Sequence, residues 1–213
     1  MSFQWIFDNA ESISISKRAV VAQSITRGNR VRTNKLGGQT WRFDVKLPDG
    51  MRWSQWRSYI EGSEALDRFT VDTISLNQSG YSYINGYMGD ANSGNIQATY
   101  NNDNAPTTLN LSSVSSLGVD EYVFKSGDWL QLGNNGHVYS VTADVLRGNA
   151  AVNTVTIPVN RPIIETANAS VVYTLKVGQD VTFDVICVEF PTWNIFQRDQ
   201  VSWSGNFVFF EVV

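Results

Sequence analysis

The only histidine of the chain, His137, lies in the segment GDWLQLGNNGHVYSVTAD (127–144), near two carboxylates, Asp128 and Asp144. A histidine beside a carboxylate can transfer a proton as a general acid or base. However, no serine or cysteine stands in a nucleophile-elbow pattern, and His137 falls next to the predicted turn GNNG. The segment is therefore interpreted as a β-hairpin, and no catalytic residue is predicted. A hydrolase that uses His137 remains an alternative hypothesis for the function.

Metal and cofactor chemistry lacks its usual residues as well. One histidine and one cysteine are too few for a zinc site, and the acidic residues of YMGDANSGN and NNDNAP lack the spacing of a calcium loop. No GxGxxG or P-loop motif occurs. Cys187 lies in the β-rich run VTFDVICVEF and is interpreted as a small buried side chain. The sequence therefore predicts no metal and no cofactor.

A stretch rich in Asn, Gly, Ser and Tyr, residues 77–111, carries almost no charge and is typical of loops and short strands. Exposed tyrosines in such a stretch can stack on sugars or anchor a protein interface, and the residue types do not separate these two uses. The candidates for contact with a glycan or a partner are Tyr81, Tyr83, Tyr87 and Tyr100. They support an alternative hypothesis for the function, a module that binds a glycan or a receptor.

Charge is distributed unevenly along the chain. Residues 1–60 hold ten Lys/Arg against four Asp/Glu, a net of +6, and the remainder holds six against sixteen, a net of −10. Ordinary solvated charge is one explanation, and nucleic-acid binding by the basic part is another, although the pI of about 5.0 disfavours it. Complementary faces through which copies add head to tail are the third. The candidate subunit-interface residues are Arg27, Arg30, Arg32, Lys35 and Arg42.

Strand patterns must position these residues. In TWRFDVKL, apolar Trp41, Phe43, Val45 and Leu47 alternate with polar residues, which predicts one buried and one exposed face. DWLQL and HVYSVTAD flank GNNG and predict a hairpin, followed by strands in NTVTIPV and ASVVYTLKV.

One helix is predicted, in LPDGMRWSQWRSYIEGSEALDRF. Asp49 is suited to capping its start, and Gly62 to ending or interrupting it. The helical spacing of its apolar residues predicts that they pack against the sheet; these residues are Trp53, Trp56, Tyr59 and Ile60.

The C-terminal runs VTFDVICVEFPTWNIF and VSWSGNFVFFEVV read as long apolar strands that need a partner sheet, as do the N-terminal strands. We therefore predict a mainly β protein. Residues 1–76 plus 175–213 would form a β-sandwich-like domain with one helix, and residues 77–174 an inserted small β-barrel or OB-like domain. The sequence shows neither a signal-peptide pattern nor an apolar run of about 18–20 residues, which predicts a soluble protein without membrane partners.

The segment SGDWLQLGNNGHVYSVTADVLRGNAAVNTVTIPVNRPI (126–163) resembles a recurring segment of tailed-bacteriophage tail proteins, and residues 14–71 resemble their opening. The resemblance covers most of residues 12–174 and points to the distal tail or baseplate-hub adaptor family. It implies a structural virion protein that forms a homo-oligomeric ring between the tail tube and tip or fibre proteins. Nucleic acid would be met only as DNA passing through the lumen. The protein would be made in the host cytoplasm and would carry no catalytic residues.

Overall fold

The structure is a computed structural model, which describes residues 21–25 and 31–35 by their backbone alone. It describes residues 2–17, 21–25, 31–35, 39–66, 70–77, 80–91, 94, 96–100, 106–114, 117–118, 120–133, 136–148, 154–165 and 171–212. Strands dominate these residues, which confirms the predicted mainly β class.

The chain divides into two compact units. Unit 1 consists of Met1–Ile74 and Asp184–Val213, and unit 2 consists of Ser75–Phe183. The chain therefore leaves unit 1, builds unit 2 and returns.

The first sheet has five strands, which lie in the order β1-β4-β18-β15-β6. Their bounds are Ser12–Ser16 for β1, Arg42–Lys46 for β4, Phe207–Glu211 for β18, Thr182–Glu189 for β15 and Asp72–Ser75 for β6. Strand β18 pairs antiparallel with both β4 and β15. The apolar C-terminal run is thus covered on both edges, by strands from both ends of the chain.

The predicted alternation along β4 is confirmed. One face of the strand and its flanks is completely buried, while Arg42 and Lys46 on the other face are exposed. The buried side chains, at most 1% exposed, are Trp41, Phe43, Val45 and Leu47.

A short helix that the sequence did not predict, α1 (Gln4–Asp8), covers this buried face. The ring of Phe3 lies 5.3 Å and that of Phe7 lies 5.0 Å from the ring of Phe209. The start of the helix is held from a distance, because the backbone N–H of Phe3 donates to Asp72 Oδ2 at 2.5 Å. Five residues carry too short a periodic pattern to be found in a sequence.

The long helix, α2 (Trp53–Glu64), begins later than predicted, because a short strand, β5 (Met51–Arg52), precedes it. Asp49 does not cap the helix and instead accepts a hydrogen bond from the backbone N–H of Trp203 at 3.0 Å. Gly62 lies inside the helix, so the prediction that it ends α2 is wrong.

A second sheet of unit 1 joins β5 to a hairpin formed by β16 (Trp193–Phe196) and β17 (Gln200–Trp203). The run VSWSGNFVFFEVV, predicted as one strand, is therefore two strands in two sheets. The break falls at residues 204–206, where Gly205 and its polar neighbours bend the chain.

Unit 2 contains a curved six-stranded sheet in the order β11-β10-β14-β7-β8-β13. Its strands are β7 (Gln97–Thr99), β8 (Thr108–Ser112), β10 (Trp129–Leu132), β11 (Val138–Ser140), β13 (Val155–Pro158) and β14 (Tyr173–Val177). A two-stranded sheet of β9 (Tyr122–Phe124) and β12 (Val145–Leu146) accompanies it.

The six-stranded sheet bends into a half-barrel. Its two outer strands approach each other through an antiparallel bridge between Val141 and Val159. The predicted hairpin is confirmed, since β10 pairs antiparallel with β11. The half-barrel encloses a continuous apolar core that includes Leu111, Leu130 and Ile157.

Candidate assembly site

The basic N-terminal segment forms a two-stranded ribbon, which we call the arm. Strand β2 (Val21–Ile25) pairs antiparallel with β3 (Val31–Lys35) through five residue pairs. Among the strands that the structure describes, these two pair only with each other. An isolated ribbon of this kind is marginally stable in water and leaves backbone N–H and C=O groups on both edges for another strand or surface.

All charged residues of the arm are basic. Residues 21–35 contain four of the five predicted interface residues and no Asp or Glu. Arg32 and Lys35 lie on β3, whereas Arg27 and Arg30 fall outside the described residues. Because the whole chain has a net charge of −4, the part outside the arm is acidic on balance.

The arm departs from the first sheet between two residues that are paired with each other. Ser16, the last residue of β1, is paired directly with Arg42, the first residue of β4. The residues between Ser16 and Arg42 therefore connect two adjacent, hydrogen-bonded strands. Near this point the ammonium group of Lys17 lies 5.2 Å from the ring centre of Trp41, and burial lowers the pKa of Lys17.

Arg42, the fifth predicted interface residue, has partners within its own sheet. Its guanidinium nitrogen lies 2.7 Å from Asp44, and its Cζ lies 5.7 Å from the ring centre of Phe210. The hydrogen bond to Asp44 raises the pKa of Arg42 further. The ion pair and the ring contact therefore engage this side chain within the first sheet.

The four candidate tyrosines separate into two groups. Tyr83 is 73% exposed, and its ring lies 6.3 Å from that of the half-buried Tyr81. Tyr87 is half-buried and donates its hydroxyl hydrogen bond to the carbonyl of Val123 at 2.5 Å. Tyr100 is 2% exposed and belongs to the core of unit 2, so its ring offers no free face to a ligand.

The hydrogen bonds next to His137 hold chain segments together. Its backbone N–H donates to Glu165 Oε1 at 2.9 Å, and the hydroxyl of Tyr139 forms a short hydrogen bond with the other oxygen of the same carboxylate. The backbone N–H of Ile164 donates to that hydroxyl at 3.0 Å. These bonds fasten the chain around residues 164 and 165 to strand β11.

The two carboxylates proposed as partners of His137 accept hydrogen bonds from the backbone. Asp128 is 1% exposed and accepts from the N–H groups of Met88 at 2.9 Å and Lys125 at 2.8 Å. Burial raises the pKa of Asp128. Asp144 accepts from the N–H of Ser126 at 2.7 Å. Both carboxylates therefore fix loop backbone in unit 2.

The sequence interpretation missed an exposed aromatic surface on α2. Only Ile60 and Ser63 are buried, whereas Trp53 and Trp56 are half-buried and Tyr59 is 51% exposed. The prediction that this whole stripe packs against the sheet is wrong for Trp56 and Tyr59, whose rings contact Trp5 of α1. Trp53 does pack on a strand, since its ring stacks on that of Trp193 in β16 with ring centres 4.6 Å apart. Helical spacing of apolar residues predicts an apolar stripe but not which element covers it.

Within the described part of the chain, no three His, Cys, Asp or Glu residues cluster as a metal site would require. No described helix is long and apolar enough to cross a bilayer. The chain matches no protein-family model. It also matches no curated protein sequence.

Proposed function

We propose that the protein is a structural component of a bacteriophage tail tip or baseplate, where it forms a homo-oligomeric ring that links the tail tube to tip or fibre proteins. The observation that carries the proposal is the arm. It is a basic, two-stranded ribbon whose described strands pair with no other strand, in a chain that is otherwise acidic.

Charge complementarity supports a second copy of the chain as the partner of the arm. A basic ribbon on one protomer can lie against an acidic surface on the next, and this contact joins two different surfaces rather than the same surface twice. Repetition of such a heterologous contact produces a ring when the rotation between neighbours closes. The proposal includes a sandwich-like arrangement for unit 1 and an OB-like one for unit 2.

The decisive experiment removes the arm without disturbing the sheet. Because Ser16 and Arg42 are cross-strand partners, the same register pairs position 19 with position 39, and residues 20–38 can be replaced by Asn-Gly, the preferred turn of a tight hairpin. We expect the parent chain to form oligomers in light scattering coupled to size-exclusion chromatography at high concentration. The shortened chain is expected to stay folded and monomeric.

A charge-reversed arm provides the matched test. The double variant Arg32→Glu with Lys35→Glu keeps the length of the arm and is expected to weaken assembly in a salt-dependent way. Arg57→Glu serves as the control, since Arg57 is exposed on α2 outside the arm. A parent chain that is strictly monomeric in solution and absent from the tail tips of labelled virions contradicts the proposal.

A further inference from the structure

Unit 1 contains an open groove of about 430 Å³ between α1 and α2. This volume is within the range of small-ligand sites, roughly 300–1,000 Å³. The groove lies in the part of the molecule where α2 leaves aromatic side chains uncovered, and neither the arm nor the candidate tyrosines contribute to it.

Three aromatic rings form one side of the groove. Trp5 stacks on Trp56 with ring centres 5.7 Å apart, and Tyr59 lies 5.4 Å from Trp56 and 6.0 Å from Trp5. The indole N–H of Trp5 donates to the buried hydroxyl of Ser63 at 2.7 Å, which fixes that ring as the inner member. Trp56 and Tyr59 are the members that remain open to solvent.

The rest of the lining is polar and almost uncharged. It offers amide and hydroxyl groups of both hydrogen-bonding kinds, and one carboxylate, from Ser2, Gln4, Asp8, Asn9 and Ser58. Four of these side chains already have a hydrogen-bond partner. Gln4 Nε2 donates to Asp8 Oδ1 at 2.9 Å, Asn9 Nδ2 donates to the carbonyl of Trp5 at 2.8 Å, and the hydroxyl of Ser2 donates to Asp72 Oδ2 at 2.8 Å. An apolar floor with a hydroxyl-and-amide rim suits a ligand that has an apolar face and a polar edge.

The spacing of the rings excludes two other ligands of aromatic sites. A cage for a quaternary ammonium group holds the cation between ring faces, and here the rings touch one another instead. Polyproline ligands repeat every three residues, or about 9 Å, and their prolines enter gaps between aromatic ridges. Rings 5.4 to 6.0 Å apart leave no such gap.

We propose that this groove binds a neutral saccharide, one or two sugar rings long, with the C–H face of a sugar stacked on Trp56 and Tyr59 and its hydroxyls bonded to the polar rim. The carboxylate of Asp8, the single charged group among the described lining residues, disfavours sugars that carry carboxylate or sulfate groups. The site is independent of the arm, and it can be present whether or not the chain forms a ring.

Saturation-transfer-difference NMR on the full chain tests the site, because it detects dissociation constants of the order of 1 mM, as expected of an open groove. The probes are maltose, lactose, cellobiose and N,N′-diacetylchitobiose, with sialyllactose and glucuronic acid as acidic counterparts. We expect transfer to at least one neutral probe, strongest at the protons of one sugar face, and weak or no transfer to the acidic probes.

Two single substitutions test whether the sugar binds in the groove of unit 1 or in unit 2. Tyr59→Ala removes an exposed ring without opening the core, and losing one stacking partner should weaken binding about tenfold. Tyr83→Ala, which removes the most exposed of the candidate tyrosines in unit 2, should leave binding unchanged. Unchanged thermal unfolding of both variants confirms that they fold.

The proposal is overturned if no neutral probe shows transfer, or if Tyr59→Ala leaves the affinity intact. Loss of binding in Tyr83→Ala instead would move the sugar site to unit 2. Self-association that Tyr59→Ala abolishes, without any sugar signal, would make the groove a contact between copies. Each of these results is separate from the arm experiment, since the shortened arm leaves the groove in place.

Discussion

Asp199 caps the start of α2 by binding Ser54, although Ser54 and Asp199 are 145 positions apart in the sequence. Its carboxylate accepts hydrogen bonds from the backbone N–H of Ser54 at 2.8 Å and from the hydroxyl at 2.7 Å. Its carbonyl accepts from the N–H of Trp53 at 2.7 Å. Arg52, which precedes the helix, provides no side-chain cap. The turn between β16 and β17 therefore stabilises the start of α2.

Removal of this carboxylate should loosen the start of α2. In Asp199→Ala we expect about fivefold faster amide hydrogen exchange at Ser54, the typical effect of a lost N-cap. Exchange in the middle of α2 provides the internal reference. Equal protection of Ser54 in the variant and the parent would show that the cap contributes nothing.

The same contact should make unit 1 sensitive to acid. The hydrogen bonds from Ser54 hold the pKa of Asp199 below its ordinary value of 3.8. A depressed pKa in the folded state means that the stabilisation is complete above pH 3.8 and is lost as the pH falls through the lower value. Thermal unfolding below about pH 4 should therefore depend less on pH in Asp199→Asn than in the parent chain.

Asp199 also explains why the sequence misplaced the start of α2. Asp49 stands four residues before the helix in a sequence typical of an N-cap, but it binds the backbone N–H of Trp203 instead. The true cap comes from the other end of the chain, and no local pattern reveals it. By contrast, the alternation around Phe43 was predictable, because a strand with one buried face imposes its period on the sequence.

The candidate site was predictable in the same partial way. The basic residues of the arm are visible in the sequence, but the pairing of β2 with β3 and their separation from the main sheet are tertiary facts. The burial of Tyr100 had a usable signal, since Ile96, Ala98 and Tyr100 alternate along one strand face and all are buried. The exposure of Tyr59 had no such signal, since the polar Ser63 one turn after Ile60 is itself buried.

Alkaline pH should destabilise unit 2 through its buried tyrosines. Burial raises the pKa of Tyr87 and of Tyr100 to about 12, from an ordinary value of 10.0. Because the folded-state pKa is the higher one, the stabilisation is complete below pH 10 and is lost as the pH rises through about 12.

A spectroscopic titration of phenolate absorbance measures this effect. We expect Tyr87→Phe to remove a group that titrates near pH 12 from the curve. If the curve near pH 12 is the same in the variant and the parent chain, burial does not control the ionisation of Tyr87.

Asp128 should contribute strongly to the stability of unit 2. Asp128→Ala leaves the backbone N–H groups of Met88 and Lys125 without their acceptor, which should lower the free energy of unfolding by about 2–4 kcal/mol. Asp128→Asn retains one carbonyl oxygen and should lose less. Urea unfolding followed by circular dichroism distinguishes these outcomes, and equal stability of all three proteins contradicts the assigned role.

A side chain at Gly178 should destabilise unit 2 for two reasons, its backbone conformation and the closeness of neighbouring atoms. Comparison with Gly148 separates these two effects. The φ of +61° at Gly178 is strained for any other residue, and an added Cβ would lie 2.9 Å from the backbone nitrogen of Tyr87 and 3.0 Å from the carbonyl oxygen of Asn85. Gly148 has a similar φ of +69°, but a Cβ there meets no atom of the described residues within 4 Å.

Gly148→Ala should therefore lower the free energy of unfolding of unit 2 by about 1 kcal/mol, the strain of the left-handed conformation alone. Gly178→Ala carries the same strain and must also push away the loop that contains Asn85 and Tyr87. Asn85 donates a hydrogen bond to the carbonyl of Gly178 at 3.0 Å, so that displacement breaks a buried contact. We expect a loss of about 2–4 kcal/mol in urea unfolding. Equal losses in the two variants would mean that the loop gives way without cost.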